Sequence, residues 1–93
     1  MEQRTEPILQ TKLEQITDVS LYPSCNKMCF ASHNKNVYIV DPQSVTEVDI
    51  LRGHGKGVTS CHWNPVYNVI ISGSEDETIR VWDASKKEEL FSL

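Results

Sequence analysis

The sequence predicts an all-β fold made of two tandem four-stranded antiparallel units. Three observations predict it. The chain repeats itself without gaps at a spacing of about 42 residues. Each copy reads as short apolar runs separated by turn-forming residues. No segment carries a convincing helical apolar stripe, although 9–16 is ambiguous between helix and strand.

The repeat is read directly from the residues. Ile16-Thr17 falls on Val58-Thr59, and Leu21-Tyr22-Pro23 on Trp63-Asn64-Pro65. Asn26 meets Asn68, Ser32 meets Ser74, and Val37-Tyr38-Ile39-Val40-Asp41 meets Ile79-Arg80-Val81-Trp82-Asp83. Ahead of the first copy, 1–14 is expected to be a tail holding one extra outer strand, because Ile8-Leu9 aligns with Ile50-Leu51. The first unit, 15–51, takes strands at 15–21, 27–31, 37–40 and 45–51 from its match to the second. In the second unit, 52–93, the first strand alternates over 58–63 and stops at Asn64-Pro65, a turn-initiating pair. A brief apolar run, 69–71, ends at Ser72-Gly73-Ser74. After the polar step Glu75-Asp76-Glu77, 78–82 is rich in β-branched and aromatic residues, as strands are. Asp83 opens a turn, and the last strand occupies 88–93. Four short antiparallel strands per repeat make one propeller blade.

Composition narrows the function classes. The 93 residues are 39% hydrophobic and 24% charged, ordinary for a folded chain and too apolar for disorder throughout. A formal net charge of −4 argues against nucleic acid as a partner, since phosphate binding needs clustered Lys and Arg. The basic doublet Lys86-Lys87 is followed at once by Glu88-Glu89 and reads as a solvated turn. No stretch reaches the apolar length of a membrane span, and the polar N-terminus does not resemble a secretory signal. Three cysteines, Cys25, Cys29 and Cys61, have no framework spacing and fit a reducing, intracellular setting. Cytoplasm and nucleus are not distinguished.

The second copy resembles the WD-repeat family residue by residue. Gly53-His54 stands before its first strand, Ser72-Gly73-Ser74-Glu75-Asp76 lies at the second turn, and Trp82-Asp83 closes the third strand. The resemblance covers 51–93 directly and 7–50 through the internal alignment. It implies a buried hydrogen-bonded tetrad of His54, Ser72, Asp76 and Trp82. Buried imidazole and indole N–H groups need partners, and a half-satisfied network of this kind is costly. The same residue types would serve a hydrolase, but residue types without triad geometry do not make one. In the first copy the tetrad positions hold Lys12, Phe30, Asn34 and Val40. The network is expected to have been replaced there by apolar packing, with a looser loop before the first strand.

Two other groupings invite a functional reading. Cys25, Cys29 and His33 stand at C-x3-C-x3-H, but the repeat scatters them over a turn, a strand and a turn, and zinc needs a fourth ligand. Neither a metal nor any cofactor is expected. Gly53-His54-Gly55-Lys56-Gly57 lacks the phosphate-loop spacing, and a sharp turn into a strand accounts for its glycines.

The resemblance implies a protein-interaction scaffold without catalysis, binding other proteins or peptides. The upper-rim candidates are Arg52, Gly55, Lys56, Glu75 and Glu77, with Glu14, His33 and Lys35 at the matching positions of the first blade. The alternative is a purely structural blade pair without a ligand of its own. Two blades cannot close a ring, and the pair alone is expected to expose Ile, Val and Trp on its outer faces. A larger propeller, a homo-oligomer, or folding on a partner would each cover them. The N-terminal strand is expected to pair with the edge of another blade.

Overall fold

A computed structural model describes residues 15–23, 26–41, 43 and 48–93. They form eight strands: β1 (Ile16–Leu21), β2 (Met28–Ser32), β3 (Val37–Val40), β4 (Val48–Leu51), β5 (Val58–Asn64), β6 (Val69–Ser74), β7 (Ile79–Asp83) and β8 (Glu88–Ser92). Each run of four makes its own antiparallel sheet in chain order, β1-β2-β3-β4 and β5-β6-β7-β8. The expected N-terminal outer strand, Lys12 and the loop before β1 lie outside the described residues, as does the start of the expected strand 45–51.

The repeat persists in fine detail. The β1–β2 register shifts between Ile16 and Asp18, and the β5–β6 register shifts between Val58 and Ser60. These are equivalent places in the two copies, and a bulge re-aims the side chain of the extra residue. The β2–β3 and β6–β7 turns match as well. Asn34 N–H donates to the Ser32 hydroxyl, and Asp76 N–H donates to the Ser74 hydroxyl. Both turns then close through a left-handed residue, Lys35 at φ 85° and Glu77 at φ 69°.

One strand is longer than its apolar run suggests. Expected to stop at Ile71, β6 continues to Ser74, because Ser72, Gly73 and Ser74 pair with Cys61, Ser60 and Val58 on β5. Polar residues continue a strand wherever the ladder satisfies their backbone groups.

Between the sheets lies the main core. Cys29, Ala31, Val37 and Ile39 of the first sheet meet Cys61, Trp63, Ile70 and Trp82 of the second. Trp63 and Trp82 are only 4% and 2% exposed, which corrects the expectation of Trp on an outer face. The register explains it: Trp63, Ile70 and Trp82 form one cross-strand row, and that row faces the first sheet. The far face of the second sheet instead carries His62, Ile71, Val81 and Phe91 in a row, with Ile79 beside them. Ile79 and Phe91 are exposed, as is Leu93. Alternation shows that a strand has two faces but not which face meets which neighbour.

Polar side chains complete the junction. As the first strand of its sheet, β5 has backbone groups on its outer edge that no strand pairs. Side chains of β1 reach them. Asp18 Oδ2 accepts from Cys61 N–H at 3.1 Å, and Ser20 Oγ accepts from Trp63 N–H at 3.0 Å. The Thr17 hydroxyl donates to the Val58 carbonyl at 2.6 Å. Cys29 and Cys61 are free and buried at the same junction. The Cys29 thiol is pushed up by hydrogen bonding with Cys61 and then by burial, which keeps it protonated.

The upper end of the pair is formed by 33–36, 52–57 and 75–78. The lower end is formed by the β1–β2, β5–β6 and β7–β8 turns. No helix among the described residues is long and apolar enough to cross a membrane.

Candidate functional site

Beneath the upper end, four side chains from four segments join in one hydrogen-bonded chain. Before β5, His54 reaches Asp76 with Nδ1 at 3.0 Å and Ser72 with Nε2 at 2.7 Å. Trp82, on β7, donates its indole N–H to Ser72 Oγ at 2.8 Å. A carboxylate only accepts, so in the neutral imidazole Nδ1 carries the proton toward Asp76. Nε2 is then left to accept from the Ser72 hydroxyl, whose oxygen accepts from the indole. Each donor has an acceptor.

The sequence leads to this arrangement locally. A strand presents Ser72 and Trp82 inward because Ser72 pairs with Arg80 and Ile70 with Trp82 in the same ladder. Asp76 sits in a tight turn that uses its other oxygen, since Thr78 N–H donates to Oδ1 at 2.9 Å. The Gly55 N–H donates to Asp76 Oδ2 at 2.8 Å, which ties 52–57 to the turn. Burial would by itself raise the Asp76 carboxyl. The bonds donated by the Thr78 hydroxyl, Gly55, His54 and the Thr78 N–H outweigh it and hold the carboxyl well below the usual range.

Sequence reasoning missed several members. The Thr78 hydroxyl donates to Asp76 Oδ1 and lies 3.3 Å from His54 Nδ1. The Ser74 hydroxyl bonds the Lys56 and Gly57 carbonyls at 3.1 and 2.9 Å, fastening the loop a second time. The signal was present in Ser74-x-Asp76-x-Thr78, a run of residues that bond backbone two positions on. The glycines also have another cause than a sharp turn, because none has positive φ. Gly53 and Gly57 permit close approach. A Cβ on Gly53 would stand 3.1 Å from the Trp82 ring, and one on Gly57 would stand 2.8 Å from both His33 Nδ1 and Glu75 Oε1.

Ser72, His54 and Asp76 have the connectivity of a hydrolytic triad. Ser72 is fully buried, however, and its oxygen is engaged by both His54 and Trp82, so no substrate reaches it. Among the described residues no three His, Cys, Asp or Glu side chains are placed to hold a metal. Cys29 is buried in β2, His33 is exposed in the following turn, and Cys25 lies outside the described residues.

The first sheet solves the same problem differently. Phe30 and Val40, at the Ser72 and Trp82 positions, are buried with Tyr38, and the Phe30 and Tyr38 rings lie 5.5 Å apart. This packing is not purely apolar, which corrects the expectation. Asn34 and Asn36 donate their side-chain amides to the Tyr38 hydroxyl at 2.7 and 3.1 Å. Tyr38 aligns with Arg80, outside the tetrad positions, and so gave no signal.

Arg52, Lys56, Glu75 and Glu77 are all exposed, as are Gly55, His33 and Lys35. His33 Nδ1 lies 3.7 Å from Glu75 Oε1, so the upper ends of the two sheets meet there. Glu14 lies outside the described residues.

Fold and lock together define a pair of adjacent β-propeller blades. Comparison with known proteins agrees. A family profile described as "WD domain, G-beta repeat" matches residues 45–83. Pre-mRNA-processing factor 19 of Homo sapiens is 38% identical over 68 residues, which is 72% of this chain and 14% of that protein. WD repeat and FYVE domain-containing protein 2 of Homo sapiens is 40% identical over 53 residues, 55% of this chain and 13% of that protein. Among solved structures, the RRP9 WD40 repeats superpose with a TM-score of 0.77 at 17% identity, covering 84% of this chain and 24% of that one. That likeness shows the fold. The chain belongs to the WD-repeat family, with its first repeat degenerate, and it spans only a small part of the length of these relatives.

Proposed function

We propose that this chain is a non-catalytic protein-interaction scaffold whose upper rim holds other proteins or peptides through Arg52, Lys56, Glu75 and Glu77. The observation that carries the reading is the lock directly beneath them. Glu75 and Glu77 flank Asp76, and Lys56 follows Gly55, which Asp76 binds. Four exposed charges of both signs therefore stand on loops that are already fixed, and preorganised loops lose less entropy on binding. No nucleic acid takes part, given the net charge of −4. The buried free thiols suit a reducing, intracellular compartment. The test is affinity capture with the double charge swap Lys56→Glu and Glu75→Lys. We expect rim partners held by the unaltered chain to be lost, and retention of every partner would overturn the reading.

One observation favours a second reading, that of a structural blade pair completing a larger ring or a homo-oligomer without its own ligand. Ile79, Phe91 and Leu93 are exposed on or beside the far face of the second blade. Native mass spectrometry separates the two. A stable assembly of six to eight blades in which the charge swap changes no binding would favour the structural role.

A further inference from the structure

A cleft opens at the lower end of the blade junction, opposite the rim. We propose that it takes a short acidic peptide segment, with carboxylates between Lys27 and Lys87 and an apolar side chain against Tyr22, which Trp63 backs from the core. The cleft has a volume of about 380 Å³, within the range of small ligand sites. Both blades contribute to it, since Tyr22 and Lys27 come from the first and Trp63, Asn68, Ser85 and Lys87 from the second.

The walls are already built. Tyr22 meets Trp63 edge to face, with ring centroids 5.3 Å apart. The Trp63 indole N–H donates to Asn68 Oδ1 at 2.9 Å, and the Asn68 amide donates to Ser85 Oγ at 2.9 Å. The Asn68 carbonyl also accepts from Ala84 N–H at 3.1 Å. One asparagine thus fixes the buried Trp63 to the β7–β8 turn, and the half-buried Tyr22 ring is the aromatic contact surface.

Charge selects the occupant. Among the described residues, the lining carries two lysines and no acid. Lys87 approaches Asp49 only to 3.6 Å, at half-exposed positions, so a bound carboxylate competes readily for it. The turn places Lys27 by donating Tyr22 N–H to the Lys27 carbonyl at 3.0 Å. Two cations beside aromatic and apolar surface match an acidic segment with one large apolar residue. A polyanionic nucleic acid is opposed by the chain's net charge of −4.

The experiment is a titration of the ¹⁵N-labelled full chain, followed by NMR, with three probes. The first is a synthetic hexapeptide carrying four acidic residues, a leucine and a phenylalanine. The others are its counterpart with lysine at the acidic positions and a short oligouridine. We expect only the acidic peptide to move the Trp63 indole N–H and the Asn68 side-chain amide. The double variant K27Q/K87Q should bind it about tenfold more weakly, with the difference shrinking as salt rises. An unshifted Trp82 indole resonance in the variant would report an intact fold. The proposal is overturned if no probe moves these signals, if both peptides act alike, if the shifts fall on 52–57, or if oligouridine occupies the cleft instead.

Discussion

Asp76 joins two segments through one carboxylate. Oδ2 accepts from His54 and Gly55, and Oδ1 accepts from Thr78. These donated bonds favour the ionised form in the folded chain, so the folded carboxyl titrates below its ordinary value of 3.8. Linkage then fixes the sign. The contribution is fully present above the unfolded value and is lost as pH falls through the folded one. Urea denaturation from neutral pH to about pH 2 should show stability falling below about pH 4. The Asp76→Asn chain should start less stable at neutral pH and fall less steeply on acidification, so that the two curves converge. Parallel curves would show that Asp76 does not supply the acid-sensitive part. At this scale the four tetrad residues were legible because the repeat motif names them. Ser74 and Thr78 were legible as a turn-forming run but not as parts of the lock, since Ser74 reaches the Lys56 and Gly57 carbonyls only once 52–57 is folded over it.

The two blades hold one topology by different means. In the second, Trp82 is buried against Gly53 and donates into the tetrad, so its removal leaves a cavity and an unmatched Ser72–His54 pair. Trp82→Ala should lower stability by about 3–5 kcal/mol. Val40→Ala, at the equivalent position of the first blade, should cost clearly less, because Val40 contributes apolar contact alone. Thermal melting of both variants checks this, and equal losses would contradict the difference between the blades. Strand existence was legible from the repeat and from turn residues such as Asn64-Pro65. The end of β6 was not, because Ser72-Gly73-Ser74 looks like a turn until its pairing with β5 is known. Nor was the Asn34–Asn36–Tyr38 cluster, which replaces the lost tetrad with a different set of positions.

At the scale of the whole molecule, the relation between the blades matters most. Within its own strand Asp18 accepts only from the Val19 N–H, and the sequence assigns Thr17, Asp18 and Ser20 no role. They acquire a role only when β5 is set beside β1, which explains why alternation alone did not reveal them. Their side chains cover backbone groups on the open edge of β5, while Trp63 and Cys29 pack beneath. The blades are therefore joined by a polar seam over an apolar core, and both the rim and the lower cleft depend on that seam. Hydrogen–deuterium exchange at the Cys61 and Trp63 amides tests it most directly, because no strand pairs with them there. We predict that both amides are protected in the unaltered chain and that Asp18→Ala speeds exchange at Cys61 while the β6–β7 amides keep their rates. Exchange of Cys61 and Trp63 at open-chain rates in the unaltered protein would contradict the docked pair.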